Sequence, residues 1–246
     1  MPRLCYQLFV CLSLILSGLL TACSNVAAPT VNNNIKKGQL LYSSSMATTE
    51  SINNWQMEGP GKIDFKDGWM QMHSPNEQMH HVFWCPEDFP DSFMAEWQVQ
   101  NLKTDAGLVI VFFAATGVNG EDIFAPNLVK RDGTFTQYTE GDITSYHISY
   151  YANAAHNPNR GHANLRKHNT FTLLQQGAEG IETESTRIHN IRLVKRAGFI
   201  QLYIDDRLVI DHIDQNQPHQ GGKIGFRQMK WTHFQYRDFK VWELRD

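Results

Sequence analysis

From residue 38 onward the chain is written in short apolar alternations, broken repeatedly by Gly, Asn, Asp and Pro, and hardly any segment keeps a helical period. Successive side chains of an extended strand point to opposite faces, so a period of two marks a strand with one buried face. Residues 93–99 set Phe93, Ala95, Trp97 and Val99 against Met94, Glu96 and Gln98, while 107–115 is a continuous apolar run that fits a strand covered on both faces. Further strands are predicted at 146–152, 170–175, 189–195, 199–204, 207–211, 223–227 and 234–244. Hairpin turns fall at 196–199 and at the acidic pair Asp205-Asp206. Many strands with few helices must bury their apolar faces against one another, which predicts an all-β sandwich of two antiparallel sheets. No internal repeat and no second zone of composition divides residues 38–246, so they are read as one domain.

The amino-terminal stretch has a different character. Residues 8–20 carry no charge, follow Arg3 and end in small residues, the layout of a secretory signal. The run is shorter than the roughly 20 apolar residues of a membrane-spanning helix. Its end, Leu20-Thr21-Ala22-Cys23, resembles the lipobox of bacterial lipoproteins. The resemblance implies that residues 1–22 are removed and that Cys23 is lipidated and becomes the mature terminus, tying the protein to a membrane through its lipid. Ser24 in place of an aspartate after that cysteine implies the outer membrane of the cell envelope. Residues 23–37, small and polar, then form a tether. Cys5 and Cys11 leave with the signal, so Cys85 alone remains and no intrachain disulfide is expected. The domain has to stand on its hydrophobic core, for which its length suffices. A formal net charge of −3 gives no footprint for nucleic acid.

The carboxy-terminal third, residues 191–211, followed by Gly221-Gly222-Lys223-Ile224-Gly225-Phe226 and by residues 236–244, resembles the end of a concanavalin-A-like (lectin/glucanase) jelly roll. More narrowly, residues 42–244, with the segments 84–97 and 146–167, resemble a little-characterised bacterial family of this fold, found in gene sets for using pectin, rhamnogalacturonan and algal polysaccharides. The resemblance implies a jelly-roll sandwich and a saccharide partner. It does not choose among lectin, hydrolase and lyase, because the fold hosts all three.

Retaining glycosidases of this fold carry a strand motif Glu-x-Asp-x-x-Glu whose carboxyls lie about 5 Å apart. That motif is absent: Glu140-Gly141-Asp142 lacks a third carboxylate, and Glu121-Asp122 and Glu87-Asp88 read as turns. Histidine and tyrosine stand out instead among 11 His in all, with Tyr146, His147, Tyr150, Tyr151, His156, His162 and His168 in one stretch. Alternation from 146 to 153 predicts a polar face of His147, Ser149, Tyr151 and Asn153, and a core face of Tyr146, Ile148 and Tyr150. The following stretch, 156–168, reads as a loop at a groove's rim, with Arg160, His162, Arg166 and Lys167 able to seat an anionic sugar. His80 and His81 are candidates to reach the same groove. Trp84 and Trp231 are candidate sugar platforms beside Arg227, whereas Trp97 and Trp242 are read as core.

These residues point to β-elimination, by a lyase or an oligosaccharide dehydratase, on uronic-acid-containing oligosaccharides. Such chemistry needs a base, a proton donor for the leaving oxygen, and groups that neutralise the carboxylate. His147 or His81 is the candidate base, Tyr151 the acid, and Asn153, Arg160, Arg166, Arg227 and Trp84 bind substrate. No cofactor is called for, and no metal-ligand spacing joins His80, His81 and His147. Two readings from other classes remain: a non-catalytic sugar-binding lipoprotein, and a hydrolase with an unfamiliar carboxylate pair that includes Glu96.

Overall fold

The computed structural model describes residues 35–76, 78–105, 107–152 and 161–245. Among them the alternations become fifteen strands: β1 (Lys36–Ser44), β2 (Gln56–Glu58), β3 (Lys62–Lys66), β4 (Trp69–His73), β5 (His81–Trp84), β6 (Ser92–Asn101), β7 (Leu108–Gly117), β8 (Ile143–Ala152), β9 (His162–His168), β10 (Thr172–Glu179), β11 (Ile188–Arg196), β12 (Phe199–Ile204), β13 (Arg207–Ile213), β14 (Lys223–Met229) and β15 (His233–Arg245). A four-residue helix, Thr136–Thr139, lies between β7 and β8. The strands form two antiparallel sheets. One runs β13-β12-β11-β6-β15-β4-β3, with β1 also pairing β15; the other runs β10-β9-β8-β7-β14-β5-β2. The all-β sandwich read from the sequence is therefore the fold.

Local chemistry explains the joints. Asp205 and Asp206 both take positive φ, at 50° and 63°, as a two-residue turn between β12 and β13 requires. Between the sheets, the Phe226 ring lies 5.2–6.0 Å from Trp55, Trp97, Tyr236 and Phe239. Cys85 is buried and unpaired, so this aromatic centre holds the sandwich without a disulfide among the described residues.

The continuous apolar run in β7 is buried on both faces because a strap covers the seven-stranded sheet from outside. Ile123 and Tyr138 of this strap, residues 120–139, pack with Val82, Trp84, Ile110 and Phe112 in a second apolar cluster. Three expectations need correction. Residues 162–168, read as loop, form β9. Trp242, read as core, faces outward beneath the Lys37 ammonium, 3.9 Å from its ring centroid. An irregularity in β15 between Arg237 and Lys240 shifts the parity, so Phe239 and Val241 take the buried positions instead. Trp84, read as a sugar platform, is fully buried under the strap.

Candidate functional site

Two parts of the outer face of the seven-stranded sheet differ in character. The strap closes the part over β7, β14 and β5. Beside it a groove of about 480 Å³ remains open, lined in part by Phe135 of the strap, His147 and Ser149 of β8, Asn164 and Arg166 of β9, and Phe171. Leu173 and Gln176 of β10 complete one wall, and Met229 and Lys230 the other. No carboxylate lines it among the described residues.

His147 is buried at the groove, its ring among Phe112, Phe135 and Phe171. Its Nδ1 lies 2.6 Å from Nε2 of His168 on the neighbouring strand, so one proton is shared by two imidazoles. Burial, then the positive charges nearby, hold His147 well below the ordinary histidine range; the same causes push His168 down to about 3. Both rings are therefore neutral at pH 7. His219 donates from Nε2 to the backbone oxygen of His168 at 2.7 Å, fixing the end of β9. Arg166 donates from Nη1 to Phe171 O at 3.1 Å and lays its guanidinium 4.2 Å from the centre of that ring.

Tyr151, read as the acid on the same face, turns the other way. Val109 pairs with Tyr151 but Ile110 pairs with Ser149, so β8 carries one extra residue, Tyr150. The bulge inverts the alternation beyond Ser149. Tyr150 and Tyr151 both enter the core between the sheets, and Ala152 takes the groove side. Tyr151 Oη accepts a bond from Asn101 Nδ2 at 3.0 Å, its ring packs on Phe234, and burial raises its pKa to about 12.

His81 is likewise on the wrong face for the groove. It alternates with Val82 and Trp84 of the strap side, sits on the Phe83 side of β5, and meets Ser74 Oγ at 3.4 Å. Burial, followed by the charge of Arg227, lowers its pKa to about 3. Asn153, Arg160 and Cys23 lie outside the described residues.

Arg227 and Trp84 lie beneath the strap rather than in the open groove. Glu58 of β2 gathers the strap: its carboxylate accepts from Trp84 Nε1 and Tyr138 Oη, each at 2.8 Å, and pairs with Arg131 at 2.8 Å. Arg131 Nη2 in turn donates to Ile123 O at 2.6 Å. Arg227 is fully buried between Phe135 and Tyr138, its guanidinium 5.0 and 4.8 Å from their ring centres, and donates from Nη2 to Gly133 O at 2.8 Å.

Sequence reasoning missed His168 as the partner of His147, and it missed the aromatic walls Phe135 and Phe171. The usable signal was the strand character of 162–168, which pairs His147 with Arg166 and leaves His168 on the same face. Glu96 faces a different depression, of about 430 Å³, on the outer side of the other sheet. Two of the three cations that line it are committed, Lys37 to Glu96 and Arg192 to Asp206, and the carboxylates Glu96, Asp206 and Asp238 line it as well. The groove beside His147 is thus the stronger candidate.

Comparison with known proteins agrees with this architecture. Residues 39–241 match the family model described as a domain of unknown function, DUF1961. The uncharacterized protein YesU of Bacillus subtilis (strain 168) is 35% identical over 213 residues, which is 84% of this chain and 96% of the relative. The crystal structure of a Bacillus subtilis protein of unknown function with a galectin-like fold superposes with a TM-score of 0.81 at 34% identity, covering 85% of this chain and 98% of that one. At fold level only, the κ-carrageenase of Pseudoalteromonas carrageenovora, solved with an oligotetrasaccharide of κ-carrageenan, gives a TM-score of 0.57 at 8% identity over 89% of this chain and all of its own. The chain belongs to the DUF1961 family and carries its galectin-like jelly-roll fold.

Proposed function

We propose that the groove beside His147 binds an acidic oligosaccharide and that the His147–His168 pair catalyses β-elimination at a uronate. The observation that carries this reading is a neutral, buried imidazole pair in a groove lined by Arg166 and Lys230 and, among the described residues, by no carboxylate. A negative ligand fits that charge pattern. A pair of carboxylates for hydrolysis is not on offer there.

Elimination removes the proton on the carbon α to the carboxylate and breaks the β carbon–oxygen bond, leaving a double bond between those carbons. In the tautomer where His147 Nδ1 donates to His168 Nε2, the Nε2 lone pair of His147 is the base. His168 then orients the ring and accepts from the imidazolium that forms. With Tyr151 turned into the core, the same His147 Nε2–H returns its proton to the leaving oxygen. Arg166 neutralises the carboxylate whose α-proton is removed. Structures of this fold that carry sugars, such as the κ-carrageenase with its tetrasaccharide and the VIP36 lumenal domain with Man3GlcNAc (TM-score 0.58), lend the saccharide partner general support.

The test is the ultraviolet absorbance of the unsaturated product with rhamnogalacturonan, ulvan and alginate oligosaccharides. A rise that vanishes in His147→Ala supports elimination. The inward turn of Tyr151 favours a second reading, a sugar-binding protein without turnover, since it removes the separate acid from the groove. Saturable binding with no product over a day would select that reading. For location, we propose the route read from the amino terminus: lipidation at Cys23 and an outer-membrane anchor. Incorporation of labelled palmitate into the wild type and into Cys23→Ala tests it, and equal labelling would contradict it.

A further inference from the structure

Arg227 is a buried cation to which no carboxylate is hydrogen-bonded; Glu58 attracts it only from a distance. The strap's carboxylate, Glu58, is taken up by Arg131, Trp84 and Tyr138. Arg227 donates one hydrogen bond, to Gly133 O, and its Nε and Nη1 have no hydrogen-bond partner among the described residues. Burying a guanidinium with unmet donors is costly, and such a group in a folded protein calls for an explanation, a functional role among them. What surrounds Arg227 points to where that partner comes from. Ile110 opposite it on β7, Met229 two residues on in β14, and Phe135 over its guanidinium all line the groove, while Arg227 itself does not. One aromatic ring is thus both a wall of the groove and the cover of the cation.

The cover is set at a fixed height. Gly133 takes φ +95°, and a Cβ there would collide with His80 O, so only glycine lets the strap pass this close to the sheet. The Gly133 carbonyl is thereby held where it accepts from Arg227, while Phe135 packs edge-on to Phe171 across the groove mouth at 5.5 Å.

We propose that Arg227 is a second, closed anion subsite of the groove, which receives a ligand carboxylate when the Phe135 ring is displaced and so sets the preference for acidic over neutral sugars. The proposal rests on the groove being the saccharide site. The unmet Nε–H and Nη1–H groups leave the guanidinium with hydrogen-bonding capacity for a carboxylate, and the enclosed position makes that pairing stronger than at the exposed rim. Arg166 holds the carboxylate at the reacting sugar, and Arg227 the one on the adjoining residue of the chain.

The test is calorimetric titration of the full chain with trigalacturonate and with its carboxyl-reduced trigalactoside, in the wild type, Arg227→Met and Arg227→Lys. Loss of a charge-assisted pair predicts that Arg227→Met binds the acidic trisaccharide about ten- to a hundredfold more weakly. Binding of the neutral one stays within about threefold, and Arg227→Lys falls between. The melting temperature of Arg227→Met is retained or raised, because a buried unpaired charge has gone; a purely structural arginine would lower it. Equal weakening for both sugars, or none for the acidic one, overturns the subsite while leaving the groove standing. No binding of either sugar by the wild type removes the groove reading and the subsite with it. Should Arg227→Met not fold, phenylglyoxal labelling with peptide mapping decides. Arg227 reacts faster in Phe135→Ala and is protected by trigalacturonate, whereas equal rates, or no protection, contradict the proposal.

Discussion

At the scale of single residues, the proposed elimination depends on His147 and the ring beside it. His147→Gln keeps a polar side chain in the groove but no base, so turnover falls by about 10²–10⁴ while oligosaccharide binding persists. Initial rates and calorimetry together check that split. Burial holds the pKa of His147 well below 6.5, so the base stays unprotonated as pH falls from neutral to 6.5. The rate is therefore flat across that interval, and an acid limb with its midpoint at or above 6.5 would contradict the assignment. Tyr151→Phe removes a hydroxyl bonded to Asn101 inside the core. It costs about 1 kcal/mol in denaturant melts and leaves turnover unchanged. His147 was legible because alternation holds through Ser149. Tyr151 was misread because one extra residue, Tyr150, inverts the faces, and nothing in the local sequence Ser149-Tyr150-Tyr151-Ala152 announces a bulge.

Among the elements, the strap decides how much of the sheet's outer face is open. It is anchored by a carboxylate from far away in sequence: Glu58 on β2 meets Tyr138 and Arg131. Removing that carboxylate strands the buried Arg131, so Glu58→Ala loses about 3 kcal/mol. Hydrogen exchange rises over residues 120–139 before it rises in β7 or β8; a uniform rise would mean the strap is no separate unit. The sequence showed Glu121 and Asp122 as turn residues, and their carboxylates accept from the backbone N–H groups of Asn119 and Phe124 in the turns on either side. It could not show the docking, since Glu58, Trp84, Arg131 and Tyr138 come together only through the β2–β5 pairing and the crossing of the strap. The parity shift that exposes Trp242 belongs to the same class of event, an irregularity in one strand that a period-two reading passes over.

The whole molecule buries several histidines in neutral form, and that sets its response to acid. His81 and His168 are lowered from 6.5 to about 3 by burial. Unfolding lets each take up a proton below 6.5, so their stabilising effect is complete above that value and fades as pH falls toward 3. Each contributes a loss of about 1.4 kcal/mol per pH unit in that window. The melting temperature should therefore drop steadily between pH 6.5 and 5, and His81→Gln should flatten the slope; a pH-independent Tm would contradict the burial. The sandwich was readable from residue 93 onward, β9 apart, because period-two alternation and turn residues are local; the short strands β1–β5 were not read. The groove was readable in half: its histidine followed from strand alternation and its arginine from charge, on a stretch read as loop, but its aromatic walls Phe135 and Phe171 come from a strap and a turn. The groove's role as the saccharide site is tested by chemical-shift mapping of the amide-labelled protein with trigalacturonate. Shifts gather on His147, Ser149, Asn164, Arg166 and Phe171 if the groove holds the sugar, and shifts gathered instead around Glu96 and Trp242 on the other sheet rule the groove out.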